Sequence, residues 1–105
     1  MMYEPIKASR RQEKAVAKKV GGQVTPASGS GWAVKNDVRS NDWSLECKWT
    51  AAKSYRLSSS DLKHAERNAL LDGRDMAFVV EMCGRTWVTV SEATFLRLIT
   101  TPEDS

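Results

Sequence analysis

The chain has 105 residues, of which 41% are hydrophobic and 28% charged, and its formal net charge is +3. This length suits one domain with a single core, residues 1–105, and the composition is typical of a globular protein, not a disordered or fibrous one. The longest apolar run, over residues 76–80, is too short to span a bilayer, and the amino terminus has no apolar signal core. We therefore expect a cytoplasmic protein with no membrane partner, and its compactness suggests a phage, prophage or other prokaryotic protein.

Positive charge is concentrated at the amino terminus. Residues 1–20 hold six lysines or arginines against two glutamates, a net charge of +4. A basic end on a small domain favours a polyanionic partner, with nucleic acid as the leading candidate. Basic helices are also commonly just solvated surfaces, so this feature alone does not decide the partner.

The hydrophobic periodicity predicts helix, three strands, helix, two strands, helix. The first helix is expected over residues 9–20, with Ser9 and Gln12 as a capping box after a flexible arm at residues 1–8. The later elements follow from alternation and turn residues: a strand at 23–25, a hairpin at 34–49 with its turn at 39–42, a helix at 58–72, strands at 76–82 and 86–90, a helix at 91–100 and an acidic tail at 101–105. This order predicts an α/β sandwich with a mixed five-stranded sheet flanked by helices.

The predicted hairpin contains the candidate catalytic residues. Glu46 and Lys48 are two residues apart on its second strand, so they project from one face, and Asp37 lies near the end of the first strand. Two carboxylates at close range repel, and a divalent cation between them removes the repulsion; their oxygens suit Mg²⁺ or Mn²⁺. The lysine could hold a water or stabilise charge on a phosphate. These residues predict metal-assisted phosphodiester hydrolysis, although the local pattern also fits a surface hairpin with solvated charges.

Glu13 is an acidic residue on the apolar face of the first helix. It shares that face with Val16, Ala17 and Val20 through i, i+3 and i+4 spacing. A carboxylate at this position either lies at the edge of the core or reaches inward to a site.

The second helix has its predicted buried stripe at Leu62, Ala65, Ala69 and Leu70. His64 falls beside that stripe, next to basic residues, and is expected to be a solvated helix residue instead of a catalytic base.

The two cysteines, Cys47 and Cys83, lie inside or beside predicted strands and have no metal-ligand spacing. We expect both to be reduced thiols in the core of a cytosolic protein.

With these residues in place, the chain from about residue 9 to 98 resembles the PD-(D/E)XK nuclease superfamily, and within it the archaeal-type and phage Holliday junction resolvases. The matching parts are Arg10-Arg11-Gln12-Glu13 on the first helix, the Ser/Gly loop at residues 26–30, Asp37, and Glu46-Cys47-Lys48. Asn36 stands where the motif often has proline, and the interval between the loop and Asp37 is short.

The resemblance implies a restriction-endonuclease-like core and a role for each matching residue. Asp37 and Glu46 would be metal ligands, with the backbone carbonyl of Cys47 as a third contact. Glu13 would complete the acidic cluster directly or through a water, and Lys48 would orient or activate the attacking water.

DNA contacts are implied as well. Arg10, Arg11 and Lys14 would grip the phosphate backbone, and a loop serine would contribute to cleavage, with Ser30 the better match and Ser28 next. Lys35 follows the loop and is placed either for DNA contact or for packing.

The leading hypothesis is a structure-selective endonuclease that cuts four-way DNA junctions with Mg²⁺, for which Mn²⁺ could substitute. Two equivalent strands to cut favour a homodimer with one active site in each subunit. A restriction, homing or nicking endonuclease of the same fold and a non-catalytic DNA-binding module are the alternatives.

Overall fold

The structure is a computed structural model that describes residues 4–26 and 35–100. Three helices and five strands lie in these residues, and their order confirms the predicted one. In chain order they are α1 (Glu4–Val20), β1 (Gln23–Val24), β2 (Val38–Arg39), β3 (Trp43–Thr50), α2 (Ser59–Leu71), β4 (Asp75–Met82), β5 (Arg85–Thr89) and α3 (Glu92–Ile99). None of the helices in these described ranges is long and apolar enough to cross a membrane.

The five strands form one mixed sheet in the order β1-β2-β3-β4-β5. Strands β3 and β4 run parallel, and every other neighbouring pair is antiparallel. A parallel pair needs a crossover connection, which α2 supplies. In the parallel register Glu46 is beside Phe78 and Lys48 is beside Val80, so the charged residues of β3 share a face of the sheet with these apolar neighbours.

Each face of the sheet has its own core, because side chains alternate along β3 and β4. On one face α1 packs on the sheet, and the buried residues are Val16, Ala17, Val38, Leu45, Cys47, Ala77 and Val79. On the other face α2 packs mainly on β4, and the buried residues are Ala65, Ala69, Met76, Phe78 and Val80. The predicted sandwich is therefore correct, and Glu46 and Lys48 lie on the α2 side.

The first helix begins five residues earlier than expected. It starts at Glu4, so residues 4–8 of the predicted flexible arm are helical and Ser9 lies inside the helix instead of capping it. Pro5 is compatible with this start because the first turn of a helix needs no backbone N–H donors. Gln12 is buried and has a different role, described below.

Two glycines end α1 and bring the chain back to the sheet. Gly21 adopts φ +67°, a conformation that suits glycine at the end of a helix. A side chain on Gly22 would overlap the backbone carbonyl of Arg39. Gly22 therefore sets how closely α1 and β1 approach β2.

The strand before the hairpin turn is shorter than predicted. It contains only Val38 and Arg39, so Asp37 comes just before it instead of near its end. The residues expected to form the start of this strand reach into the range 27–34, which lies outside the described residues.

Burial corrects two further predictions. Leu62, Ala65 and Ala69 face inward from α2, but Leu70 is 70% exposed. Cys47 is buried as expected, whereas Cys83 is exposed in the β4–β5 turn with φ 51°. A turn between two antiparallel strands projects into solvent, so Cys83 is not a core thiol. The predicted exposure of His64 is confirmed.

Candidate active site

Asp37 is fixed by backbone contacts on both of its sides. Its Oδ2 accepts a hydrogen bond of 2.9 Å from the backbone N–H of Cys47 on β3. Its own carbonyl accepts one of 2.8 Å from the N–H of Thr25, just after β1. These bonds hold the carboxylate against the middle of β3, beside Glu46.

Burial and the neighbouring Asp37 strongly raise the pKa of Glu46. Its side chain is 22% exposed, and burial, followed by the charge of Asp37 and a hydrogen bond with it, raises the pKa of Glu46 to about 7; Lys48 partly opposes this. Two carboxyl groups this close disfavour a second negative charge. Near neutral pH Glu46 can therefore bind a proton, and a cation bound between the two carboxylates would also relieve their repulsion.

Lys48 lies next to this pair and reaches solvent. Its Nζ is 3.4 Å from Glu46 Oε2, and its side chain is 40% exposed. Burial by itself lowers the pKa of Lys48, but the charges of Glu46, Tyr55 and Asp37 together raise it above its ordinary value. Lys48 thus keeps its proton at neutral pH and can donate to an anionic group, but it cannot serve there as a base.

Glu13, on α1, approaches Asp37 from the face of the sheet opposite to Glu46 and Lys48. Burial and then the charge of Asp37 raise its pKa, and Arg10 opposes the effect. Within residues 4–26 and 35–100, however, no three His, Cys, Asp or Glu side chains are already arranged as a metal-binding group. Asp37 and Glu46 are the close pair, and direct ligation by Glu13 stays a prediction.

The residues present fit a hard divalent cation. The close donors are two carboxylates whose repulsion raises the pKa of Glu46, and a cation between them would relieve that repulsion. The Cys47 thiol does not contribute, because burial and then the neighbouring carboxylates raise its pKa and keep it protonated. The predicted metal contact of Cys47 is therefore its backbone carbonyl and not its thiol.

Gln12 does not form the predicted capping box with Ser9 but lies between α1 and β3. It is 3% exposed, and its Nε2 donates a hydrogen bond of 2.8 Å to the backbone carbonyl of Lys48. Its Oε1 is buried and has no hydrogen-bond partner among the described residues. Gln12 therefore ties α1 to the strand that carries the lysine. Its place one residue before Glu13 gave no signal of this contact.

Asn36 anchors the other side of the site. It is 2% exposed; its Nδ2 donates to Ser44 Oγ and to the carbonyl of Ala65, each at 2.9 Å. Its Oδ1 accepts from Asn68 Nδ2 at 3.2 Å. These bonds hold the residue before Asp37 on α2. Asn68, a polar residue beside Ala69 on the buried face of α2, was the sequence signal that a buried polar partner existed.

The basic residues divide into two groups. Arg10, Arg11 and Lys14 are exposed on α1, and Arg10 lies close enough to Glu13 to affect its pKa. Lys35, in contrast, forms an ion pair of 3.3 Å with Asp72 at the end of α2. The predicted serines at positions 28 and 30 lie outside the described residues.

Asp72 forms two further ion pairs, with the guanidinium groups of Arg39 at 3.2 Å and Arg74 at 2.7 Å. Burial opposes ionisation, but hydrogen bonds from Arg39 and Lys35 and the charge of Arg74 lower the pKa of Asp72. This cluster joins β2 to the α2–β4 connection, so Lys35 has a structural contact here.

Comparison with models of known protein families, with curated proteins and with solved structures gives no significant match.

Proposed function

We propose that this protein is a metal-dependent endonuclease that hydrolyses phosphodiester bonds in branched DNA, with the four-way junction as its substrate. The observation that carries the proposal is the half-buried Asp37–Glu46 pair with the Lys48 ammonium 3.4 Å from Glu46. A carboxylate pair beside an exposed ammonium suits the handling of a phosphate and its counter-ion.

Asp37 and Glu46 would hold Mg²⁺, or Mn²⁺ in its place, with the Cys47 carbonyl as a further ligand and Glu13 in support. When bound, the cation supplies charge neutralisation at the phosphate and activation of water. Two observations support this role: the Cys47 N–H holds the Asp37 carboxylate, and Glu46 lies on β3 next to Cys47.

Lys48 would stabilise the negative charge that develops on the phosphate. Its retained proton supports this role over that of a base. Gln12 donates a 2.8 Å hydrogen bond to the backbone carbonyl of Lys48 and so ties the strand that carries this lysine to α1. A shift of this strand by even an ångström would misplace the charge.

The exposed basic residues of α1 support a nucleic-acid substrate. Arg10 lies close enough to Glu13 to affect its pKa, and Arg11 and Lys14 are exposed on the same helix. Phosphate contacts from these side chains would orient the DNA without reading its sequence. Recognition would then rest on DNA shape, as a branch-selective enzyme requires. Paired cuts in a junction need two active sites, so we include a homodimer in the proposal.

The test is cleavage of a labelled, immobile four-way junction beside a linear duplex of matching sequence, with Mg²⁺ and then with EDTA. The wild type should make paired, symmetric, Mg²⁺-dependent nicks in the junction alone. Asp37→Asn should bind the junction but not cut it, whereas the matched control Asp42→Asn, in the exposed β2–β3 turn, should cut normally.

Other results would contradict the proposal. Cutting of the linear duplex at defined sites would indicate a restriction or nicking enzyme, and tight junction binding without cutting would indicate a binding module. Equal loss of binding and cutting in Asp37→Asn would give Asp37 a structural role.

A further inference from the structure

Strand β5 presents an arginine–tryptophan pair to solvent. Both side chains are exposed, Trp87 by 51%, and the guanidinium carbon of Arg85 lies 4.9 Å from the centroid of the Trp87 ring. A guanidinium over an indole ring is a favourable cation–π contact that holds two flat groups together. Trp87 belongs to neither core of the sheet, so core packing does not account for its position.

The strand register places this pair on the face of the sheet that carries Glu46 and Lys48. Trp87 is the partner of Val80 on β4, and Val80 is the partner of Lys48 on β3. Directly opposed residues point to the same face, so Trp87 projects on the α2 side together with Lys48. Arg85 is two residues before Trp87 and shares that face. Two strand spacings, about 10 Å, separate the backbones of Trp87 and Lys48.

The connection between β3 and α2 crosses the same face. The ring of Tyr55, within this connection, lies 6.3 Å from that of Phe78 on β4, and the charge of Tyr55 contributes to the raised pKa of Lys48. Farther along the chain, Ser59 lines the same cavity as Thr89 of β5. The connection therefore passes across this face from the lysine toward β5.

The charge of this region suits an anion. Residues 47–60 and 82–91 contain no acidic side chain, whereas Lys48, Arg56 and Arg85 place positive charge at three exposed or partly exposed points. The nearest acidic residues along the chain are Glu46, which is proposed to hold the cation, and Asp61 in the first turn of α2. Separated positive charges beside an exposed aromatic ring match a nucleic-acid strand, which combines phosphates with flat bases.

We propose that Arg85 and Trp87 stack a nucleobase that is not stacked within a duplex, on a DNA strand whose phosphate is held at Lys48. Bases inside a continuous duplex cover each other's faces, whereas single strands and branch points expose them to aromatic rings and guanidinium planes. A separation of about 10 Å corresponds to roughly three base steps of B-DNA. The stacked base would therefore lie within a few nucleotides of the cleaved bond.

The choice of DNA as the ligand rests on the proposed function. Tryptophan and arginine also anchor protein interfaces, but the face that Trp87 shares with Lys48 favours a nucleotide. The stacking site would add a physical reason for preferring branched DNA to a linear duplex, because only branched DNA offers an accessible base beside the cleaved strand.

The test is fluorescence anisotropy in EDTA at low ionic strength with two labelled single strands, an oligothymidylate of about ten nucleotides and an abasic strand with the same number of phosphates. The wild type should bind the oligothymidylate more tightly. Trp87→Ala should weaken that binding by about 5- to 150-fold and binding of the abasic strand by less than about 2-fold. Trp87→Phe, which keeps an aromatic ring, should retain most of the affinity.

Two further variants separate stacking from charge. Arg85→Lys keeps the positive charge but removes the guanidinium plane, so it should weaken binding of the oligothymidylate more than binding of the abasic strand. Val88→Ala is the matched control, because Val88 is exposed on the same strand but its partner Val79 belongs to the α1-side core. This control should bind both strands like the wild type.

The proposal is overturned if the wild type binds the two strands equally, which would leave a protein as the partner of this pair, or if Trp87→Ala weakens both equally. If Trp87→Ala does not keep the wild-type circular dichroism spectrum, equal weakening of both strands by Arg85→Lys overturns it instead. The nuclease proposal fails separately. Base-dependent binding through Trp87 without any junction cleavage would refute the activity alone, and junction cleavage with equal binding of the two strands would refute the stacking site alone.

Discussion

Replacing Glu46 with glutamine is expected to stabilise the metal-free protein at alkaline pH. Burial and the charge of Asp37 raise the pKa of Glu46 from 4.5 to about 7, and this result already includes the opposing effect of Lys48. A carboxyl group with such a change in pKa is destabilised in its ionised form by about 3 kcal/mol. The amide of Glu46→Gln has nearly the same size and no charge, so it avoids this cost.

The pH dependence has a definite sign. Between pH 4.5 and about 7 the folded protein keeps a proton on Glu46 that the unfolded chain has released. The stability that this proton contributes is therefore complete below the lower value and is lost as the pH rises through the upper one. Glu46→Gln should exceed the wild type by less than about 1 kcal/mol near pH 5 and by about 3 kcal/mol near pH 8.

Urea unfolding in EDTA, followed by far-UV circular dichroism, measures this difference. With an ordinary urea dependence for a domain of this size, the midpoint near pH 8 should rise by roughly 1 to 2 M. Glu66→Gln, which removes one negative charge from α2, is the matched control and should change the midpoint little at either pH. A gain below about 1 kcal/mol near pH 8, or an equal gain at both pH values, would refute the proposed repulsion. Saturating Mg²⁺ should stabilise the wild type near pH 8 and not Asp37→Asn.

Three further substitutions test the site and its support. Lys48→Ala should slow single-turnover junction cleavage by about 10²- to 10³-fold with junction affinity nearly unchanged. Lys53→Ala is the control, and a parallel loss of affinity would make Lys48 a binding residue. Asn36→Ala should lower the free energy of unfolding by about 2 to 3 kcal/mol, because it leaves three buried hydrogen-bonding groups without their partner; a loss below about 1 kcal/mol by urea unfolding would contradict this. Gly22→Ala should lower the free energy of unfolding by more than the roughly 1 to 2 kcal/mol expected for Gly21→Ala, because only Gly22→Ala places a methyl group against β2. Thermal unfolding measures the difference. A lower melting temperature for Gly21→Ala than for Gly22→Ala would contradict the close packing at Gly22.

The sequence determined the element order and the central part of the site. Apolar alternation and helical spacing are local signals, so they identified all three helices and the five-stranded mixed sheet. The spacing of Asp37, Glu46 and Lys48 along one hairpin is also local, which is why the structure brings the three together. The predicted start of α1 at Ser9 was wrong. Ser9 is a good local capping residue, but the helix begins five residues earlier, at Glu4.

Tertiary structure alone decided what supports these residues and how strongly they interact. Gln12 meets a backbone carbonyl 36 residues away, and Asn36 meets Ala65 and Asn68 on α2. The pKa of Glu46 depends on burial and on Asp37, and neither burial nor the distance between two side chains can be read from their spacing. The sequence also could not show which side of α3 faces the core, because that depends on how the whole helix packs. In the structure Thr94 is buried, Phe95, Leu96 and Ile99 are exposed, and the Arg97–Asp75 ion pair joins α3 to the start of β4.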